Sequence, residues 1–416
     1  MKLKPLAASV AVVAAGLASM ASAGDFIEDS SLKIKFRNVY FNEMGRSDAN
    51  TKDRREWVQA IIADFKSGYF ADVIGFDLSA GGAMGLANDM DGEKNNCKNS
   101  NLPLDGGDKT KCDLNDIGGI HQAYAKFKFG LDNVEFSGNY GKKKRKFKTY
   151  SDSGSRALPA ATFGGEGVLS IHDVDLYAAQ ITGFSPRNQS YFKDDLTNGT
   201  EKINNLRIYG LKGKLAGVKF QVEQGASKDY LQQRYAQLGY DIDLNDGMTL
   251  GLDVRYGKQE DDGDLYGSQH ESKFVNLNAA LEMGATTLYA GYNKVTDGDW
   301  DTVYFDEDHG KWSSSVSLHE DFADEDEKTW LVGVSYDFAA MGVEGLEINT
   351  YYARGEIDQS GVDESRWERG TILTYKFGGD LKGLDLAWEN YTNRGHGGDS
   401  NTDDNRFYVN YSLSVF

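Results

Sequence analysis

A histidine followed by an aspartate, His172-Asp173, and a good supply of serines are the raw parts of a hydrolase. Nucleophile, base and orienting group must touch, and the chain has no G-x-S-x-G turn to raise a serine toward a base. H-E-x-x-H, Walker and dinucleotide fingerprints are absent as well. Asp173 and Asp175 would be same-face neighbours on an extended strand, but two acids without a cleft do not make a glycosidase. His172 reads better as a strand-end residue. The sequence predicts no catalytic residue, no cofactor and no metal centre. Cys97 and Cys112, the only two cysteines, bracket a polar stretch with no Cys or His partners at ligand spacing. They are expected to form a disulfide staple within one surface loop, about 2–3 kcal/mol for a loop of this size.

The remaining chemistry is that of charge held briefly and released. In Ser31 to Phe41, Lys33, Lys35 and Arg37 fall on one parity, and Leu32, Ile34, Phe36 and Tyr40 on the other. A row of cations on one face of a strand holds an anionic group transiently when that face lines water. Arg207, Arg255 and Arg406 lie in similar alternating segments, with Asp77, Asp253, Glu389 and Tyr391 as counter-charges and a hydroxyl. All are expected to line a lumen and guide a solute. Tyr209, Tyr289 and Tyr391 are inward by the same parity. Net charge is −19, which argues against a nucleic-acid partner. It does not describe a pore, because the acids cluster in loops.

The elements that must position these residues are strands. The last stretch, Asn405 to Phe416, sets Phe407, Val409, Tyr411, Leu413 and Val415 against Arg406, Tyr408, Asn410, Ser412 and Ser414. Such alternation is a strand with one apolar and one polar face. A final amphipathic strand ending on an aromatic residue is what a bacterial outer-membrane barrel needs to close on its first strand. The amino terminus fits export: Lys2 and Lys4, an apolar run from Leu6 to Met20, and Ala21-Ser22-Ala23 before Gly24 read as a signal peptide over 1–23. Residues 24–416 then form one domain. No later run is long enough for a spanning helix. The 48 glycines, 23 tyrosines and 4 prolines fit tight turns, aromatic girdles and few ladder breaks.

Eighteen alternating segments are predicted, at 31–41, 54–65, 71–80, 120–129, 133–142, 165–172, 174–183, 203–212, 216–226, 231–243, 248–258, 272–283, 285–295, 329–338, 345–355, 369–378, 383–392 and 405–415. The number is even, as closed antiparallel bacterial barrels require. Short connections (130–132, 339–345, 378–383) alternate with long ones (81–119, 298–328, 355–367), the asymmetry of periplasmic turns and extracellular loops. The stretch between Tyr140 and Gly167 begins with the basic run Lys142 to Lys146 and then loses alternation. It is expected to fold inward and narrow the lumen, with Arg156 near the constriction. The basic run is either a solvated rim or a funnel for anions.

The chain resembles the OprD-type outer-membrane channels, the substrate-specific or carboxylate-type porins, over nearly all of the mature length. The resemblance is carried by F-I-E-D-S-S-L at Phe26–Leu32, F-R-N-V-Y-F-N at Phe36–Asn42, R-E-W ending at Trp57, G-S-R-A-L-P at Gly154–Pro159, S-K-D-Y ending at Tyr230, the run from Glu327 to Leu346, and N-R-F-Y-V-N-Y-S-L from Asn405. It implies an 18-stranded monomeric barrel whose third loop constricts a pore, with a row of arginines guiding carboxylate-bearing solutes. Arg37, Arg156 and Arg406 match that row. The penultimate strand departs from it, with Ala387 and Glu389 where well-known members carry arginines. The expected function is passive, partly selective diffusion of small hydrophilic nutrients. The resembled family also includes chitooligosaccharide channels, so one alternative is a channel of that type with Tyr209, Tyr289 and Tyr391 as a sugar slide; another is a filled structural or adhesive barrel. Expected partners are outer-membrane lipid, lipopolysaccharide, and the barrel-assembly machinery through the strand ending at Phe416.

Overall fold

The computed structural model describes residues 26, 28–46, 54–90, 100–103, 112, 114–189, 192–193, 196–197, 202–244, 247–303, 305, 310, 312–359, 362–395 and 401–416. The signal segment 1–23, Cys97 and the acidic residues just after Met90 lie outside them. Cys112 is buried and disulfide-bonded.

Twenty strands follow one another: β1 Ser31–Gly45, β2 Arg54–Lys66, β3 Ile74–Met90, β4 Ile117–Leu131, β5 Val134–Lys143, β6 Ala161–Ile171, β7 Val174–Ser185, β8 Leu196–Thr197, β9 Lys202–Ile203, β10 Leu206–Leu215, β11 Val218–Ser227, β12 Leu231–Asp243, β13 Met248–Asp261, β14 Glu271–Met283, β15 Thr286–Thr296, β16 Lys328–Asp337, β17 Leu346–Gln359, β18 Val362–Lys376, β19 Leu384–Gly395 and β20 Thr402–Ser414. β8 and β9 pair only with each other; the other eighteen form one antiparallel sheet. β1 pairs with β2 on one side and β20 on the other, Lys33 facing Ser414 and Tyr40 facing Phe407, so no edge is left. Leu32 N donates to Phe416 O (3.2 Å) and Val415 N to Leu32 O (2.8 Å), which seals the seam at the chain's end.

Alternation decides which way each side chain points. On β20, Phe407, Val409 and Leu413 face outward and are exposed, whereas Asp404, Arg406 and Tyr408 face inward and are covered. A sheet that shows leucine outside and arginine inside is built for lipid around a polar interior. Four inward aromatics lie flat on the wall because a glycine sits opposite each. A Cβ at Gly210, Gly257, Gly333 or Gly370 would stand 2.1–2.3 Å from the ring of Tyr177, Phe274, Tyr289 or Tyr351 on the paired strand. The rings therefore line the lumen without crossing it.

All eighteen expected strands form, and the ends differ. Chain connections at one end are short; two-residue turns join β4–β5, β6–β7, β10–β11 and β14–β15. His172 and Asp173 are the turn between β6 and β7, with His172 in the left-handed region at φ 50°. A turn tip offers no nucleophile or cleft. At the other end, 355–367 is not a long loop: β17 and β18 stay paired up to Gln359 and Val362, extending the hairpin beyond the expected strand ends. β3 likewise runs on to Met90, so the connection begun at 81 shortens.

Two connections turn inward. Residues 144–160 do so as expected, burying Tyr150, Ala157 and Leu158. The described residues of 297–327 do so as well, although the sequence places this stretch among the long extracellular loops. Trp300, Trp312, Val316 and Phe322 of this second loop pack on the inward faces of Phe274, Leu331, Tyr351 and Ala353.

Candidate functional site

The first inward loop is caged by Arg145. Its guanidinium donates to the carbonyls of Thr162 (2.6 Å) and Gly164 (2.7 Å), and its amide donates to Asp152 Oδ2 (2.7 Å). Thr149 reaches across to Glu223 of β11 through its amide (2.6 Å) and hydroxyl (2.7 Å). Asn101 accepts from Ala157 N (2.8 Å) and is itself held by Glu56 of β2. Arg156 is thereby fixed at the loop tip.

The second loop is pinned from below by Glu368 of β18, which is fully buried. It accepts from His319 N (3.1 Å), Glu320 N (2.8 Å) and the Tyr351 hydroxyl. Arg366 adds a two-pronged pair to Glu327 (2.8 and 2.6 Å). Ser313 donates to Lys148 O (2.7 Å), tying the two loops together.

Between the loops and the β1–β2–β20 wall, three guanidiniums surround one ring. Arg54, Arg156 and Arg406 lie 4.8, 5.5 and 4.7 Å from the centroid of Phe41, which is fully buried. The negative face of the ring attracts a cation placed over it but offers no neutralising charge. Arg54 pairs with Glu43 (2.9 Å) and Arg406 with Asp404 (2.7 Å). Among the described residues, Arg156 and Arg37 have no carboxylate ion pair. Burial first, then the guanidiniums of Arg187, Arg54 and Arg406, push Arg156 well below its ordinary pKa. The locale is short of negative charge, and an anion arriving there relieves it. Arg187 donates to Ser153 Oγ (2.9 Å) and Ser155 Oγ (3.0 Å), while His319 stacks on Tyr391 at 4.4 Å and 8°. These groups line a cavity of about 610 Å³. The donor atoms of Glu43, His319 and Asp404 lie within 4.8 Å of one another, a spacing a cation accepts, yet Arg54 and Arg406 already supply the positive charge.

The sequence expectations fall as follows. Arg37, Arg156, Arg406, Glu389 and Tyr391 come together on this wall: Glu389 faces Arg406 across β19–β20 and accepts from the Tyr391 hydroxyl (3.2 Å). Lys33 and Lys35 continue the row below Arg37, with Lys35 paired to Asp64 (2.6 Å). Asp253 and Arg255 share the opposite wall, beside a cavity of about 510 Å³. Asp253 is held there by Arg255 (2.5 Å) and Asn278 (2.9 Å). Asp77 faces inward but is taken by Lys126 (2.7 Å) and the Tyr124 hydroxyl (2.7 Å), so it does not balance the arginines.

Arg207 and Tyr209 are corrected: both point outward. The register of β10 turns Leu206, Ile208, Gly210 and Lys212 inward, opposite Ile181, Ala179, Tyr177 and Asp175. Leu206 and Ile208 are apolar yet interior because the loops pack on them. The basic run also splits. Lys142 donates to Ile120 O (2.7 Å), Lys143 pairs with Glu166 (3.3 Å), and Lys146 lines a cavity of about 400 Å³. Glu43, Arg54, Arg187, His319 and Asp404 were not anticipated. The parity of Arg54-Arg55-Glu56 was available for one of them, but His319 is placed by contacts distant in the chain, among them Glu368, 49 residues away, and Tyr391.

The sequence profile described as outer membrane porin, OprD family, matches residues 24–415. The chain belongs to that family. Among relatives, the Porin-like protein GalP of Pseudomonas putida is 25% identical over 425 residues, covering 99% of this chain and 98% of that one. Porin D of Pseudomonas aeruginosa is 26% identical over 439 residues, covering 97% and 95%. The crystal structure of Pseudomonas aeruginosa OpdK with vanillate is 25% identical, with a TM-score of 0.78 and coverage of 94% and 100%. The OprD-family porin is thus a substrate-specific channel of the outer membrane and not an enzyme. Its short-turn end is periplasmic and its long-loop end extracellular.

Proposed function

We propose that this porin passes small solutes bearing a carboxylate. The solute enters the 610 Å³ cavity from the extracellular side, meets the guanidiniums around Phe41, and descends past Arg37 toward Lys35 and Lys33. The observation that carries this reading is Arg156, a loop-tip cation with no carboxylate partner among the described residues, which shares the Phe41 ring with Arg54 and Arg406. OpdK, solved with vanillate, is a relative that binds a carboxylate. Transport is passive: charge complementarity draws the anion in, and Glu389 and Asp404 beside the arginines keep the contact weak enough to release it. An oligosaccharide slide has less behind it, since Tyr209 points to lipid and Tyr391 is covered by His319.

Around this function, residues 1–23 act as the export signal and the chain works as a monomer. The barrel is seated among outer-membrane lipid and lipopolysaccharide, and the strand ending at Phe416 is the mark read by the assembly machinery. Liposome swelling with a matched panel of sugars, amino acids and organic acids tests the solute reading. Organic acids are expected to enter fastest; sugars outrunning acids of equal size would refute it.

A further inference from the structure

The lipid-facing surface carries a pattern unrelated to the lumen. On the outward face of β12, β13 and β14, Arg234, Lys258 and Lys273 stand directly opposite one another. Lys294 on β15 lies two residues toward the periplasm from Thr296, the partner of Lys273, and faces Lys328 on β16. Arg354 on β17 and Arg369 on β18 each take a further two-residue step in the same direction. Seven successive strands therefore contribute one outward basic residue each, and the row shifts six residues over six strand gaps.

A second row shows that this line runs level with the membrane. On β13, β15, β16 and β17 the next same-face residue toward the periplasm is Tyr256, Tyr292, Trp330 and Tyr352, shifting four residues over four gaps. Below those come Val254, Ala290, Val332 and Thr350. Basic, aromatic, then mostly apolar is the order of headgroup, interface and hydrocarbon. The basic row sits about 5–7 Å outside the aromatic one, one same-face step along a strand.

Acids on this face lie on the extracellular side of the row. Glu260, Glu271 and Glu356 take up Arg234, Lys258, Lys273 and Arg354. Among the described residues, Lys294, Lys328 and Arg369 have no carboxylate partner; Arg369 donates only to Asn390 and Thr392. They surround Trp330 and Tyr352, whose rings meet at 5.3 Å. In a chain of net charge −19, this is an unneutralised cationic arc at headgroup depth in the outer leaflet.

We propose that this arc binds the phosphate groups of lipopolysaccharide, through Lys294, Lys328 and Arg369, with Trp330 and Tyr352 against the sugar–acyl boundary beneath. The proposal rests on the outer-membrane location and not on the solute reading, because none of these residues faces the lumen. The probe is bisphosphorylated lipid A, titrated into the detergent-solubilised porin and read by native mass spectrometry. K294Q/K328Q/R369Q is expected to bind at least about tenfold more weakly, and wild type is expected to bind phosphate-free lipid A no better than the variant does. K294R/K328R, which keeps the charge, is expected to retain binding. Single-channel conductance of all variants should match wild type, which reports that the barrel is intact. Equal binding of lipid A by wild type and the neutralised variant would overturn the proposal. So would phosphatidylglycerol binding as tightly as lipid A, or a neutralised variant that fails to fold while single K328Q and R369Q variants bind like wild type.

Discussion

Arg156→Ala removes the cation on which the solute reading rests. A carboxylate seated about 4 Å from a guanidinium gains about 1 kcal/mol in bulk water and about 4 kcal/mol where the effective dielectric is near 20. The site lies between these limits: it opens on a cavity of about 610 Å³ lined mostly by polar groups, but Arg156 itself is buried. Arg54 and Arg406 remain at the Phe41 ring, each tied to its own acid. A loss of about 1–2 kcal/mol follows, equivalent to about five- to thirtyfold in affinity at 1.4 kcal/mol per tenfold. The assay is block of single-channel chloride current by benzoate added on the extracellular side. The half-blocking concentration is expected to rise by that factor in Arg156→Ala and to move much less in Arg156→Lys, which keeps the charge but not the planar fork. A half-blocking concentration within twofold of wild type would mean that Arg156 does not meet the solute.

Three further perturbations address other parts of the argument. Glu389→Arg replaces the acid opposite Arg406 with a cation, and organic-acid flux in swelling assays should rise roughly threefold or more; unchanged flux would take Glu389 off the path. Glu368→Ala leaves the His319 and Glu320 amides and the Tyr351 hydroxyl without their acceptor, at about 1–3 kcal/mol per buried group. Loop 297–327 should loosen, and single-channel records should show larger, flickering steps; a wild-type trace would show that the loop is held elsewhere. Gly370→Val places carbon 2.3 Å from the Tyr351 ring, which must swing toward the lumen at about 1–3 kcal/mol. Lower conductance and a lower unfolding temperature of the folded band on unboiled gels are expected, and no change in either would contradict the wall packing.

The barrel was legible because alternation is local. Each strand announces itself within ten residues, and the parity of Arg37 and Arg406 follows from Phe36 and Phe407 beside them. The inward course of 144–160 was also readable, since the alternation stops there. What was not readable depends on contacts far apart in the chain. Leu206 and Ile208 have the composition of lipid-facing residues, which by parity alone puts Arg207 inward; only the loops packed on them make them interior. Loop 297–327 carries Trp300, Trp312 and Phe322, more aromatic surface than a solvated loop needs, but its anchor Glu368 lies on a strand two hairpin arms later. Parity alone makes Asp77 a free counter-charge; the ion pair with Lys126 on the neighbouring strand takes it up.

The central claim is that the lumen of a chain with net charge −19 selects for anions, because the cavity beneath its two inward loops is lined by Arg54, Arg156, Arg187 and Arg406. The most direct measurement is the reversal potential of the purified porin in a planar bilayer under a tenfold potassium chloride gradient. The expected result is a potential of the sign set by chloride permeation. A potential of the sign set by potassium, or a protein that inserts without any conductance step, would contradict it.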